Sequence, residues 1–333
     1  KLDIPELNSQ TKAYKWVSEI YSKKLFSHAK HVESMLEKYA GLKDKLNEFS
    51  SLAKQFELLD KHACKLRRFL ELYDKDNWVY NPINLEDGSR KIEFKPIDVS
   101  EYAEDMLFKH AKKIVMMSAT IIDIKSFCNM LGISDSEAGF ISIPSPFPKV
   151  NRPIIFGNVG RMSSREIDNT LPKLKMAIKA ILKEHKNEKG IIHCHSYKIA
   201  WYLKKGIKDT RLLIHDSSNR EHVLKKHMNS KKPTVLLSPS MTEGVDLKGD
   251  LSRFQVICKV PYPYLGDKLI SKKMHKWRWW YPYQTAKTIL QSVGRSVRSD
   301  EDHAVTYILD SDWEKFFKNN ANLFSTDFKE CIR

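Results

Sequence analysis

The sequence predicts an α/β protein: a parallel sheet sandwiched by helices, preceded by a mostly helical segment. Two observations carry that class. From Arg152 onward, short apolar stretches alternate with amphipathic ones across short loops, the pattern of strands and covering helices in a parallel sheet. Before that, residues 11–74 hold a single glycine, Gly41, and no proline. Their apolar residues recur at steps of three and four, which marks helices that bury one stripe.

The helical segment divides at Gly41. Leu42, Leu46, Phe49, Ala53 and Phe56 continue into Leu59, Ala63, Leu66, Leu70 and Tyr73. Trp16, Ile20, Tyr21, Val32, Met35, Leu36 and Tyr39 form a second stripe before the glycine. A long antiparallel helical hairpin is expected. Trp78 to Pro96 reads as two short strands around Glu86-Asp87-Gly88-Ser89, a run of good turn residues. A helix is expected from about Val99 to Lys112, then a strand over Ile114–Met117, then a proline-rich linker through Ile143–Pro148. Strands are expected at 153–156, 190–195, 211–214, 234–237, 254–259 and 304–309. Helices are expected at 164–186, 197–206, 218–229, 284–298 and 312–318. The domain reading is 1–98 for the helical insertion with its β-hairpin, 99–150 for a return segment, and 151–333 for the α/β domain.

Fifty-seven Lys and Arg against forty-one Asp and Glu give a formal charge of +16. Such an imbalance favours a polyanionic partner. Five scattered cysteines form no C-x-x-C pair, which argues for reduced thiols in a cytoplasmic setting rather than a disulfide framework. No apolar run is long enough to span a bilayer, and residues 1–30 do not read as a secretory signal. The chain opens on a lysine, so a fragment or processed product is expected.

Active residues of a parallel sheet are expected at the carboxyl ends of its strands. Three segments are read there: Ser118-Ala119-Thr120, Met241-Thr-Glu-Gly-Val-Asp-Leu247, and Gln291-Ser-Val-Gly-Arg-Ser-Val-Arg298. On one continuous helix, Gln291, Gly294, Arg295 and Arg298 would share a face. Two planar guanidiniums there suit a transferring phosphoryl group, or equally complement a helix dipole. His193-Cys194-His195 would point both imidazoles to one face, but no further ligand is near in sequence, and a structural role is expected. Trp277 to Tyr283 interleaves aromatics with cations and reads either as a base-stacking run or as core at a helix junction. Asp300-Glu301-Asp302-His303 has the letters of a DExH box but follows a helix end, and reads as a polar turn.

In this order, the three segments resemble helicase motifs III, V and VI of superfamily two, in the XPD/DinG branch of DNA helicases. Ser145-Pro146-Phe147, "IIHCHSYK", "VPYPYLGD" and "AVTYILD" support the likeness. The resemblance implies that 151–333 is a second RecA-like domain and that 1–98 is an Arch-like insertion, whose Lys61, Lys65, Arg67 and Arg68 could line a DNA channel. It implies Arg295, Arg298 and Gln291 as catalytic, with Asp246, Glu243, Gly244 and Gly294 against the nucleotide. Ser118, Ala119 and Thr120 would couple hydrolysis to movement, and Ser196, Tyr197 and Thr242 would lie near single-stranded DNA.

ATP and Mg2+ are expected as cofactors, held mainly by the protein's own N-terminal RecA-like domain with its Walker A and DExH motifs. Neither motif is read in this chain, so it is expected to be inactive alone. An iron–sulfur cluster stays open, because the family's cluster cysteines lie upstream of the DExH box. Translocation 5′ to 3′, an intracellular location without membrane contact, and a monomer complete the expectation. Two alternatives are a helicase-like nucleic-acid scaffold without turnover and a helicase-fold nuclease. The latter would need a carboxylate cluster that the sequence does not show.

Overall fold

A computed structural model describes residues 3–134, 136–240 and 245–333. The chain forms two compact units: one runs up to Val99 and includes Gly266–Lys273, the other takes Ser100–Leu265 and Met274–Arg333.

In the first unit, helices Ser22–Tyr39 and Leu46–Leu72 pack as an antiparallel hairpin. Gly41, at φ +83°, makes the reversal between them in the left-handed region that favours glycine. Val17, Leu25, Ala63 and Leu66 are the buried centre of the contact. Strands β1 (Trp78–Asn84) and β2 (Arg90–Pro96) pair antiparallel, Trp78 opposite Pro96 and Asn84 opposite Arg90. Phe94 and Trp78 meet Phe69 of the long helix at ring distances of 4.9 Å, so the ribbon is seated on the hairpin by aromatic packing.

The second unit is built on six parallel strands: β3 (Ile154–Phe156), β4 (Gly190–His193), β5 (Leu212–Ile214), β6 (Val235–Ser238), β7 (Phe254–Ile257) and β8 (Val305–Ile308). Their spatial order is β3-β8-β7-β4-β6-β5. Every residue of β4, β6 and β7 is buried, because helices cover both faces and leave no face for water. Helices Ile167–Glu184 and Tyr197–Gly206 pack on one face with Ile192, Val235, Leu237, Phe254 and Val256. On the other, helices Trp280–Val293 and Asp312–Asn319 pack with Ile154, Ile257 and Ile308. Gly190 lets β4 approach β7: a Cβ there would lie 2.5 Å from the Phe254 ring.

Three expectations need correcting. Ile114–Met117 forms no strand; Val115 and Met117 are 85% and 90% exposed. A strand needs a neighbouring ladder, and no described strand lies beside this run. The helix expected to Lys112 is short, Ser100–Ala103 running into a π-helical turn over Glu104–Phe108. The helix expected over 284–298 ends at Val293, before the arginines.

Candidate functional site

The helix leading to the arginines begins at Trp280 and stops at Val293. Gly294 takes its last backbone bond, to Leu290 O at 3.0 Å. Beyond it, side chains from β7 and the turn before it replace the helical ladder. Gln255 Nε2 donates to Val293 O at 2.7 Å and to Thr306 Oγ1 at 2.8 Å. Ser296 Oγ donates to Ser252 Oγ at 2.7 Å. These groups are buried and bonded to one another, which fixes the turn where a helix would otherwise continue.

Gln291, Gly294, Arg295 and Arg298 therefore do not share one helical face; only Gln291 belongs to the helix. Nor does the turn lie at the carboxyl ends of the strands. Arg298 N and Gly249 N donate to Asp302 Oδ2 at 3.2 and 3.0 Å, and Asp302 Oδ1 accepts from Arg253 Nη1 at 2.8 Å, just before β7 begins. A helix that precedes a parallel strand ends near that strand's amino end, so the turn sits at the amino ends of β7 and β8.

The fold still brings the second and third segments together. Arg298 Nε lies 3.0 Å from Asp246 Oδ1, with both side chains well exposed. Arg295 Nη1 donates to Val245 O at 3.1 Å, and Leu247 N donates to Arg295 O at 3.3 Å. Arg295 thus straps two segments together from a half-buried position, while Arg298 presents its guanidinium at the surface. Thr242, Glu243 and Gly244 lie outside the described residues.

Ser118 and Thr120 hydrogen-bond to each other at 3.2 Å around an exposed Ala119, in a local turn. Ser196 caps helix Tyr197–Gly206 by accepting from Ile199 N at 3.4 Å, and Tyr197 beside it is 44% exposed. His193 and His195 stack at 5.9 Å. Burial pushes His193 well below the ordinary imidazole range, helped by His195 and Arg295; burial and then Lys259 hold His195 at about 4. Both are therefore neutral at pH 7. Among the described residues, no group of three or more His, Cys, Asp or Glu could hold a metal ion.

The aromatic run is divided. Trp280 and Tyr283 are buried, and Tyr281 stacks on Tyr262 while donating to Pro263 O at 3.1 Å. Arg278 is exposed between half-buried Trp277 and Trp279.

Residues 178–331 match the family model described as the helicase C-terminal domain. The chain is 25% identical over 258 residues to the ATP-dependent DNA helicase DinG of Photobacterium profundum, covering 70% of this chain and 36% of that protein. It is 22% identical over 230 residues to the ATP-dependent DNA helicase YoaA of Escherichia coli, covering 65% of this chain and 36% of that protein. The solved structure of S. tokodaii Xpd4 shares the fold with a TM-score of 0.54 at 17% identity, over 97% of this chain and 69% of that one. Residues 178–331 thus resemble a helicase C-terminal domain, and DNA helicases of the DinG and YoaA kind are among the chain's relatives. The chain spans about a third of the length of these two curated helicases.

Within residues 178–331, two carboxylates were not legible as parts of the site. Asp302, read only as part of a polar turn, is 4% exposed and joins the arginine turn to the loop before β7. Asp310, the last residue of AVTYILD, accepts from Met162 N, Val260 N and Asp312 N at 2.9–3.2 Å. An acid after an apolar strand is a usable signal for the second; nothing in the letters DEDH signals the first. No described helix is long and apolar enough to cross a membrane.

Proposed function

We propose that the complete protein is an ATP-dependent DNA helicase, to which this chain contributes the second RecA-like domain and, over residues 1–98, an Arch-like insertion. The observation that carries the reading is the Arg298–Asp246 pair, because it joins an always-charged guanidinium to a carboxylate it can leave when a phosphate arrives. Arg298 and Arg295 fit the anionic end of a nucleotide as planar cationic donors. The magnesium and the remaining phosphate contacts fall to the Walker A and DExH elements of an N-terminal RecA-like domain.

ATP, when bound, supplies a transferable phosphoryl group and the free energy of its release. Arg298 exchanges Asp246 for developing charge on that group, and Gln291 helps position the site. Arg295 holds the motif V loop against the motif VI turn, so the exchange is felt along the chain toward Ser196, Tyr197 and Thr242 beside single-stranded DNA. Glu243 and Gly244 act with Asp246 against the nucleotide. Ser118, Ala119 and Thr120 report the exchange to the N-terminal domain. The exposed run Ile114–Met117 supports that reading, since Val115 and Met117 have the composition of a strand awaiting a sheet. Movement 5′ to 3′, an intracellular location and a monomer complete the proposal.

The test is Arg298→Ala in the full-length protein. DNA-stimulated ATP hydrolysis should fall by ~10³-fold, the scale of an arginine finger, with folding intact. Undiminished hydrolysis rejects the assignment. One observation favours a second reading, a nucleic-acid scaffold without turnover: the charge of +16 attracts a polyanion whether or not a nucleotide is hydrolysed. A wild-type protein that binds DNA yet shows no DNA-stimulated hydrolysis would establish that reading instead.

A further inference from the structure

On the opposite sheet face from the arginine turn, a cavity of about 510 Å³ opens between the ends of helices Ile167–Glu184 and Tyr197–Gly206. Its floor includes Leu182 and Ile207, both buried in the core of that face. Lys179, Lys183, Lys186 and Lys208 line it, all exposed.

Lysines near helix C-termini ordinarily serve the unpaired carbonyls there. Here that work is already done. Arg211 donates to Leu182 O at 2.7 Å, His185 O at 2.8 Å and Lys186 O at 2.9 Å. Lys204, on the second helix, is itself spent on strand β5, its Nζ donating to Leu212 O at 2.6 Å. The lining carboxylate, Asp209, is neutralised by Arg211 at 2.8 Å, and nearby Glu188 is bonded to His185 at 2.6 Å. Among the described residues, no ion pair engages Lys179, Lys183, Lys186 or Lys208. Lys175, Lys179 and Lys183 also stand four apart on one helix, a like-charge spacing that destabilises the helix unless an anion offsets it. Lys175 is placed over the Tyr202 ring at 5.6 Å, which leaves Lys179 and Lys183 as like charges one turn apart.

We propose that this pocket binds a small oligophosphate anion. Four ammonium groups around one concavity match several phosphate oxygens at once. The volume falls in the range of small-molecule sites. A single strand of nucleic acid would instead want a tracked groove and stacking aromatics, and no aromatic side chain lines the cavity.

The probe is inorganic tripolyphosphate, titrated calorimetrically into the whole chain. One equivalent is expected to bind, with affinity falling about tenfold for each lysine removed among Lys183→Gln, Lys186→Gln and Lys208→Gln. The single Lys208→Gln variant changes only a loop and keeps the test valid should the triple variant fold poorly. Arg298→Ala is expected to leave this binding unchanged, which separates the pocket from the proposed nucleotide site. Absence of binding, loss on Arg298→Ala with retention in the lysine variants, or displacement of the probe by a short single-stranded oligonucleotide would each overturn the proposal.

Discussion

Asp302 shows how one buried acid can govern a surface arginine. Its two oxygens hold Arg253 Nη1 and the backbone amides of Gly249 and Arg298, so the segments before β7 and after Val293 are fixed by one carboxylate. Asp302→Ala would leave two amides and a largely buried guanidinium short of an acceptor, although Arg253 keeps Asp250 at 2.7 Å. A loss of about 2–4 kcal/mol is expected, read as a lower urea midpoint. An unchanged midpoint would show that water replaces the carboxylate without cost. Gln255→Leu tests the neighbouring network: the Val293 carbonyl and the Thr306 hydroxyl lose their shared donor, and a cost of about 1–3 kcal/mol is expected. Neither residue could be found by periodicity. Gln255 lies in a continuous apolar strand, and Asp302 lies in a tetrapeptide that imitates a different motif. Apart from Arg298, their partners come from sequence positions 38 to 53 residues away, which no local pattern records.

Strands and helices of the α/β domain were far more legible, because a doubly covered parallel strand must be an unbroken apolar run. Helix Tyr197–Gly206 occupies the expected residues, and its neighbours differ from expectation by a few positions. The arginine helix was overrun by five residues, since the stripe of Ala286, Leu290 and Val293 continues to Val297 after the helix has ended. Val297 is buried from a turn rather than from a helix. Two outcomes belong to this scale. Gly190→Ala drives a methyl into the Phe254 ring between β4 and β7, and about 1–3 kcal/mol of overpacking is expected in thermal melts. The buried imidazoles set a pH dependence. His227 donates Nε2–H to Leu251 O at 2.8 Å and accepts from Thr234 Oγ1 at 2.9 Å, a neutral arrangement; burial first, with Lys189, holds it at about 4. His195 is held at about 4 likewise, by burial first. The unfolded chain, with ordinary values near ~6.5, binds protons that the fold refuses. Stability is therefore full above that value and falls as pH drops toward 4, by about 1.4 kcal/mol per pH unit for each histidine. Urea midpoints that stay level between about pH 7 and 5 would contradict this.

For the whole molecule, a charge of +16 makes attraction to nucleic acid depend on displaced counterions. Binding of single-stranded DNA by the chain should weaken linearly on logarithmic axes, with a slope of about −0.7 for each phosphate neutralised. A salt-independent affinity would transfer the recognition to the aromatic run. At this scale the sequence revealed class and charge, but it did not reveal that Arg67 is spent on its own unit, over the Phe26 ring at 5.2 Å. The sheet also carries a temporal consequence. β3, early in the domain, has β8 as its neighbour, Ile154 opposite Thr306, and Ile154 N is bonded by Cys331 O while Arg333 N returns to Ile154 O. A ribosome would therefore release β4 to β7 long before β3 can be seated, and closure of so wide a loop is slow. Nascent chains halted before Ala304 would keep one apolar edge open, a target for chaperones while synthesis finishes.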